Sequence, residues 1–258
     1  MDATAVLTAY DRQMREGARA EGSGARIERT GGVVRLVSEG GGWNAVLWSG
    51  LDETDARRAI EEQIAHFTGL GQEFEWKLYG HDRPADLGDR LAAAGFRAED
   101  QETVMVAETA DVVQDAEPPA EVRVVRATDA AGVDLVVRVH EEVFGRDGTR
   151  LRHHLLTRLA EDPGTVLAVV ALAGDEPVSA ARLEIVPGTE FAGLWGGGTV
   201  TRWRGRGVYR TLVAHRARAA AAHGCRYLQV DASDMSRPVL ERLGFRALTT
   251  TTPYLYGA

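Results

Sequence analysis

Apolar and polar positions run along the chain in two periods, one helical and one β. Residues 3–20 place Val6, Leu7, Tyr10, Met14 and Ala18 on one face at helical spacing, which predicts an amphipathic helix. After the Glu21-Gly-Ser-Gly24 break, three β-prone runs at 25–29, 33–38 and 44–48 are separated by Gly31-Gly32 and Gly40-Gly41-Gly42 and predict a meander. The acidic cap Asp52-Glu-Thr-Asp55 predicts a helix to about residue 67. A strand at 74–79, a helix at 84–94 ending at Gly95 and a strand at 103–107 follow.

The second half repeats this order. An acidic stretch at 111–119 carrying Pro118-Pro119 has no apolar period and reads as a linker. Beyond it come a strand at 122–126 and helices at 129–144 and 149–159. Strands at 165–173, 178–186 and 191–195 follow, joined by turns at Gly174-Asp-Glu-Pro177 and Pro187-Gly-Thr-Glu190. A helix at 208–222, a strand at 227–232, a short helix within 237–245 and a strand at 250–256 complete the chain. Both halves read as three strands, helix, strand, helix, strand, and the segments at 84–96 and 237–245 both close in Gly-Phe. This predicts an internal repeat, the competing explanation being coincidence between two α/β patterns. The expected domains are 1–110, a linker at 111–121, and 122–258.

Length and composition narrow the picture. The 258 residues suffice for two small cores, and no apolar run approaches the ~20 residues of a membrane span, so a soluble cytoplasmic protein is expected. The net charge of −8 argues against nucleic acid as a partner and suits a cationic ligand better. The single cysteine, Cys225, excludes an internal disulfide and multi-cysteine metal sites, and no metal is expected. All but one of the Lys and Arg residues are arginine, Lys77 being the exception, a codon bias that says nothing of mechanism.

Chemistry concentrates where the strand ending at Trp195 runs into Gly196-Gly-Gly-Thr-Val-Thr-Arg-Trp-Arg-Gly-Arg-Gly207 and a helix begins. The amides of 206–210 are the unpaired donors of a first helical turn, where the macrodipole favours an anion. Gly205 and Gly207 let the backbone approach that anion, and Arg204 and Arg206 add full charges, so a phosphate ligand is expected. A Walker loop is excluded because Gly-Lys-Ser/Thr is missing, and a dinucleotide fingerprint because Arg210 stands at its third glycine.

Arg204-Gly-Arg-Gly-Val-Tyr209 resembles the acyl-CoA loop of the GNAT acetyltransferase superfamily, Arg/Gln-x-x-Gly-x-Gly/Ala, departing from it at Tyr209. The strand, Gly-Phe helix and final strand downstream resemble the same family, with Leu240 where its tyrosine stands. The resemblance spans 122–258. It implies an α/β fold of the GNAT type, a mixed, mostly antiparallel sheet with helices on both faces, preceded by a partial repeat of the same fold. It also implies acetyl-CoA as cosubstrate, held by Gly197, Gly198, Thr199, Val200, Arg204, Gly205, Arg206, Gly207, Val208, Tyr209, Arg210 and Ser233. In that family the glycine-rich strand splays from its neighbour, pairs with the pantetheine arm and offers an amide to the thioester oxygen.

A base is then sought among carboxylates facing that strand. A tight turn at 187–190 would set Glu184 opposite Gly193 and Arg182 opposite Trp195, making Glu184 the candidate, with an Arg182–Glu184 structural pair as the competing role. Asp231 is second choice. The family's acid cannot be carried onto Leu240; Tyr254, Tyr256 and Ser233 are substitutes, the tyrosines also reading as packing residues. His140, His153 and His154 read as solvated or acceptor-contacting. The first repeat, with Asp52, Glu53 and Asp55 at the equivalent helix start, would repel pyrophosphate and reads as a non-catalytic copy. The expectation is an N-acetyltransferase acting by direct transfer on a primary amine of a small molecule or peptide, as monomer or homodimer. A CoA-binding regulatory protein without catalysis is the alternative.

Overall fold

The computed structural model describes residues 1–20, 24–39, 42–112 and 116–257. The expected breaks at 21–23 and at Gly40-Gly41, and linker residues 113–115, lie outside the described residues. Two compact units are formed, one from Met1–Met105, Asp231–Pro238 and Ala247–Ala258, the other from Val106–Val230 and Val239–Arg246.

In the first unit, α1 (Ala3–Tyr10) starts where the Asp2 carboxylate accepts the Thr4 and Ala5 amides. The helix expected over 3–20 widens into a π-helical turn at Asp11–Glu16. That turn buries Arg15, which donates to Asp11 (2.7 Å) and to both oxygens of Asp82 (2.6 and 2.8 Å) and lies over the Tyr79 ring. Tertiary pairing of one arginine thus overrides regular helical period. Strands β1 (Ala25–Thr30), β2 (Val33–Ser38) and β3 (Ala45–Ser49) form the expected antiparallel meander. Then follow α2 (Ala56–Gly69), β4 (Phe74–Tyr79), α3 (Leu87–Ala93), β5 (Arg97–Ala98) and β6 (Glu102–Glu108). The core of this unit gathers Phe67, Phe74, Trp76, Leu87, Leu91 and Phe96.

The second unit contains β7 (Val122–Ala127), α4 (Ala130–Phe144), α5 (Thr149–Glu161), β8 (Val166–Ala173), β9 (Glu176–Ile185), β10 (Phe191–Thr199), α6 (Val208–Ala222), β11 (Tyr227–Ala232) up to Val230 and α7 (Arg237–Arg242) from Val239. Its strand order is β11-β10-β9-β8-β7, parallel between β10 and β11 and antiparallel elsewhere. The near-continuous apolar run of β8 fits a strand covered on both faces. The helices α4 and α6 lie on opposite sides: a Cβ on Gly198 would meet Val143 of α4, and one on Gly197 would meet Tyr209 of α6. The last strand, β12 (Arg246–Tyr256), starts earlier than its apolar pattern suggests and pairs antiparallel with β4, from Thr251↔Tyr79 to Tyr256↔Phe74. No helix among the described residues is long and apolar enough to cross a membrane.

Candidate active site

The glycine run does not end β10 at Trp195. It bends the strand through a bulge between Trp195 and Gly198, after which pairing with β9 resumes at Gly198↔Ala180 and Thr199↔Ser179. Ser179 anchors that end by donating to the Gly198 carbonyl at 2.7 Å. On its other edge β10 pairs with β11 only from Phe191↔Tyr227 to Gly193↔Gln229. The two strands part there.

Beyond Thr199 the chain makes a 3₁₀ turn at Thr201–Trp203 and enters α6 through Gly207, whose φ of 84° and ψ of −5° are left-handed and suit glycine. Because α6 begins at Val208, the amides of Val208, Tyr209 and Arg210 have no carbonyl one helical turn earlier to bond. Arg204 is turned back, donating to the Thr199 carbonyl at 3.1 Å, while the Arg206 guanidinium stacks 4.6 Å from the centre of the Trp203 ring. Arg204 therefore ties the loop to the strand end, and Arg206 stands beside the helix start.

The register of β9 and β10 is the one read from the turn: Gly193 faces Glu184 and Trp195 faces Arg182. Glu184 is 8% exposed, and two groups reach its Oε1: Arg182 Nε at 2.6 Å and His154 Nε2, from α5, at 3.2 Å. Burial alone would raise its pKa. The hydrogen bond to His154 and the Arg182 charge overcome that and hold it at about 2. The Trp195 indole lies where a Cβ on Gly193 would go, and the Gln229 amide nitrogen stands 3.1 Å from the same point. The Gln229 Oε1 is buried and has no hydrogen-bond partner. A carboxylate, an imidazole, an indole and an amide oxygen therefore gather on one face where β10 leaves β11.

Residues 133–245 match the acetyltransferase (GNAT) family. Solved structures match across nearly the whole chain. A GCN5-related N-acetyltransferase from Kribbella flavida is 16% identical with a TM-score of 0.73, covering 100% of this chain and 96% of that one. A functionally unknown conserved protein from Staphylococcus epidermidis is 11% identical with a TM-score of 0.71, covering 97% and 98%. A tandem GNAT protein from the clavulanic acid biosynthesis pathway is 14% identical with a TM-score of 0.62, covering 98% and 93%. The fold is that of the GNAT acetyltransferases. A comparison with curated proteins finds no match.

Within this GNAT fold, the other sequence candidates lie in the first unit. Asp231 is an ion-pair partner of Lys77, the chain's only lysine, on β4. Burial would lower the Lys77 pKa, but Asp231 more than compensates and raises it, so Lys77 stays charged. Tyr254 packs on the first unit's core, its hydroxyl 2.6 Å from where a Cβ on Gly88 of α3 would lie, and Tyr256 packs there too. Ser233 shares a hydrogen bond with Ser236. His154, which the sequence offers only as solvated or acceptor-contacting, is the partner of Glu184, and Gln229 carries no sequence signal of a site residue. A histidine 30 positions from Glu184 gives no local signal, and Gln229 sits in an ordinary strand pattern.

Proposed function

We propose that the protein transfers an acetyl group from acetyl-CoA to a primary amine by direct attack. The observation that carries this reading is the parting of β10 and β11 after Gly193, beside a glycine-entered helix start and a buried carboxylate. The residues fit the cosubstrate. The first-turn amides of α6 and the neighbouring Arg206 suit a pyrophosphate, and the β10 edge beyond Gly193, where pairing with β11 has ended, suits a pantetheine arm that needs amide partners. Gly197, Gly198, Thr199 and Val200 would line that arm and Arg204 to Arg210 the phosphates. Bound acetyl-CoA supplies the activated acyl carbon.

The acceptor approaches from the face carrying Glu184. A carboxylate held at about 2 is a weak proton acceptor and a strong partner for a cation, so Glu184 binds and orients the ammonium. Its bond to His154 makes the pair the route for proton removal. Trp195 adds an aromatic face for a cationic group. The acceptor class is accordingly a small cationic amine.

The first unit is read as a non-catalytic copy. Its helix α2 begins just after Asp52, Glu53 and Asp55, three carboxylates that would repel pyrophosphate, and Asp52 accepts the Thr54 and Asp55 amides ahead of the helix at 2.8 and 3.0 Å. The reaction is tested by following CoA release from acetyl-CoA across aliphatic, aromatic and polycationic amines, with mass spectrometry of the product. Acetyl-CoA binding without transfer to any of them would favour a ligand-binding regulator instead.

A further inference from the structure

We infer that Tyr209 is the acid that protonates the departing thiolate, with the buried Arg216 beside it to stabilise the phenolate that forms. The inference rests on the acetyl-transfer reading above. Its basis is a cluster on the α6 side of the bulge, opposite the face that carries Glu184. A Cβ on Gly197 would stand 2.9 Å from Tyr209 Cε2, 3.4 Å from the Tyr209 hydroxyl and 3.5 Å from Arg216 Nη2. The phenol thus lies against the bulged glycine itself, and any larger residue at 197 would displace it.

Arg216 is 1% exposed. It donates from Nε to the Leu212 carbonyl and from Nη1 to the Arg182 carbonyl, both at 3.1 Å, while Nη2 has no hydrogen-bond partner. Leaving one nitrogen of a buried guanidinium unbonded is costly unless it serves a ligand or a passing charge. Burial lowers its pKa, and Tyr209 is the neighbour that favours its charged form. On α7, the buried residue turned to the interior is Leu240, which has no proton to give.

The two faces then divide the work. The acceptor ammonium loses one proton to the Glu184–His154 pair and its nitrogen bonds the thioester carbonyl carbon. When the carbonyl re-forms, the C–S bond breaks, its electron pair stays on sulfur and the Tyr209 proton goes to that sulfur. The nitrogen gives up its second proton to water, and the phenolate, beside Arg216, recovers one from water. The products are the amide, the free thiol and one net proton.

Tyr209→Phe keeps the ring against Gly197 and removes only the proton. With acetyl-CoA and the best amine from the panel, the single-turnover rate is expected to fall about 10²-fold, with acetyl-CoA affinity by calorimetry unchanged. The discriminating measurement uses a second donor, S-acetyl-4-nitrothiophenol, whose thiol is far more acidic than the ~8.5 of an ordinary thiol and departs without an acid. With it the variant should match the wild type. Equal losses with both donors would make Tyr209 a packing residue, and no loss with acetyl-CoA would remove it from the reaction; either result overturns the inference. If the wild type transfers acetyl to no amine, the acetyl-transfer reading itself falls and takes this inference with it.

Discussion

Two demands meet at the carboxylate of Glu184: it is bound by Arg182 as a structural partner would be, and it faces the glycine-lined strand as a functional group would. The two roles separate experimentally. A functional role predicts that Glu184→Gln lowers turnover by about 10² to 10⁴ and leaves acetyl-CoA affinity unchanged. A purely structural role predicts an early-melting protein, losing roughly 3–5 kcal/mol, whose folded fraction stays active. The pH dependence has a definite sign. The folded pKa, about 2, lies below the unfolded value, so the stabilisation from Glu184 is present above about pH 4.3 and is lost as pH falls toward 2. The difference corresponds to about 3 kcal/mol, which acid titration of the wild type should show and the Gln variant should not.

Among the elements, the entry into α6 separates strain from charge. Gly207 has a left-handed backbone, so Gly207→Ala should cost about 1–2 kcal/mol in the melting transition and weaken acetyl-CoA binding only modestly. Gly207→Asp tolerates that backbone better but sets a carboxylate among the first-turn amides, and acetyl-CoA binding should vanish by calorimetry while circular dichroism is unchanged. If both variants bind alike, the amides of Val208 to Arg210 are not the phosphate cradle. The loop was legible in the sequence because it depends on neighbours: a strand, glycines and a helix start lie in one continuous stretch. The length of β10 was not. Glycine is a poor strand former, yet pairing of Gly198 and Thr199 with β9 carries the strand past the bulge.

For the whole molecule the expectation is one acetyl-CoA per chain, because the carboxylates of Asp52, Glu53 and Asp55 stand just before the α2 start and would repel pyrophosphate there. Isothermal titration giving two equivalents would refute the reading of the first unit as a non-catalytic copy. The pairing of Lys77 with Asp231 has a consequence at this scale too. A lysine conspicuous in the sequence for being alone is buried in an ion pair inside the first unit, and the carboxylate it holds is withdrawn from the role the sequence offered it.

Periodicity, turn length and loop chemistry are local, and the sequence alone determined whatever depends on them. It defined the order of strands and helices, the two-residue alternation that follows from the turn at 187–190 and faces Glu184 toward Gly193, and the glycine-entered helix start. Contacts between distant segments have no local signature, and these only the tertiary structure decided. They include the assignment of Ala247–Ala258 to the first unit, the meeting of His154 with Glu184, the packing of Tyr254 on the Phe74 core, and the placement of Tyr209 and Arg216 under Gly197. The physical reason is that each of these is selected by burial and pairing across the fold, where many residues of suitable type compete and the chain's neighbours have no vote.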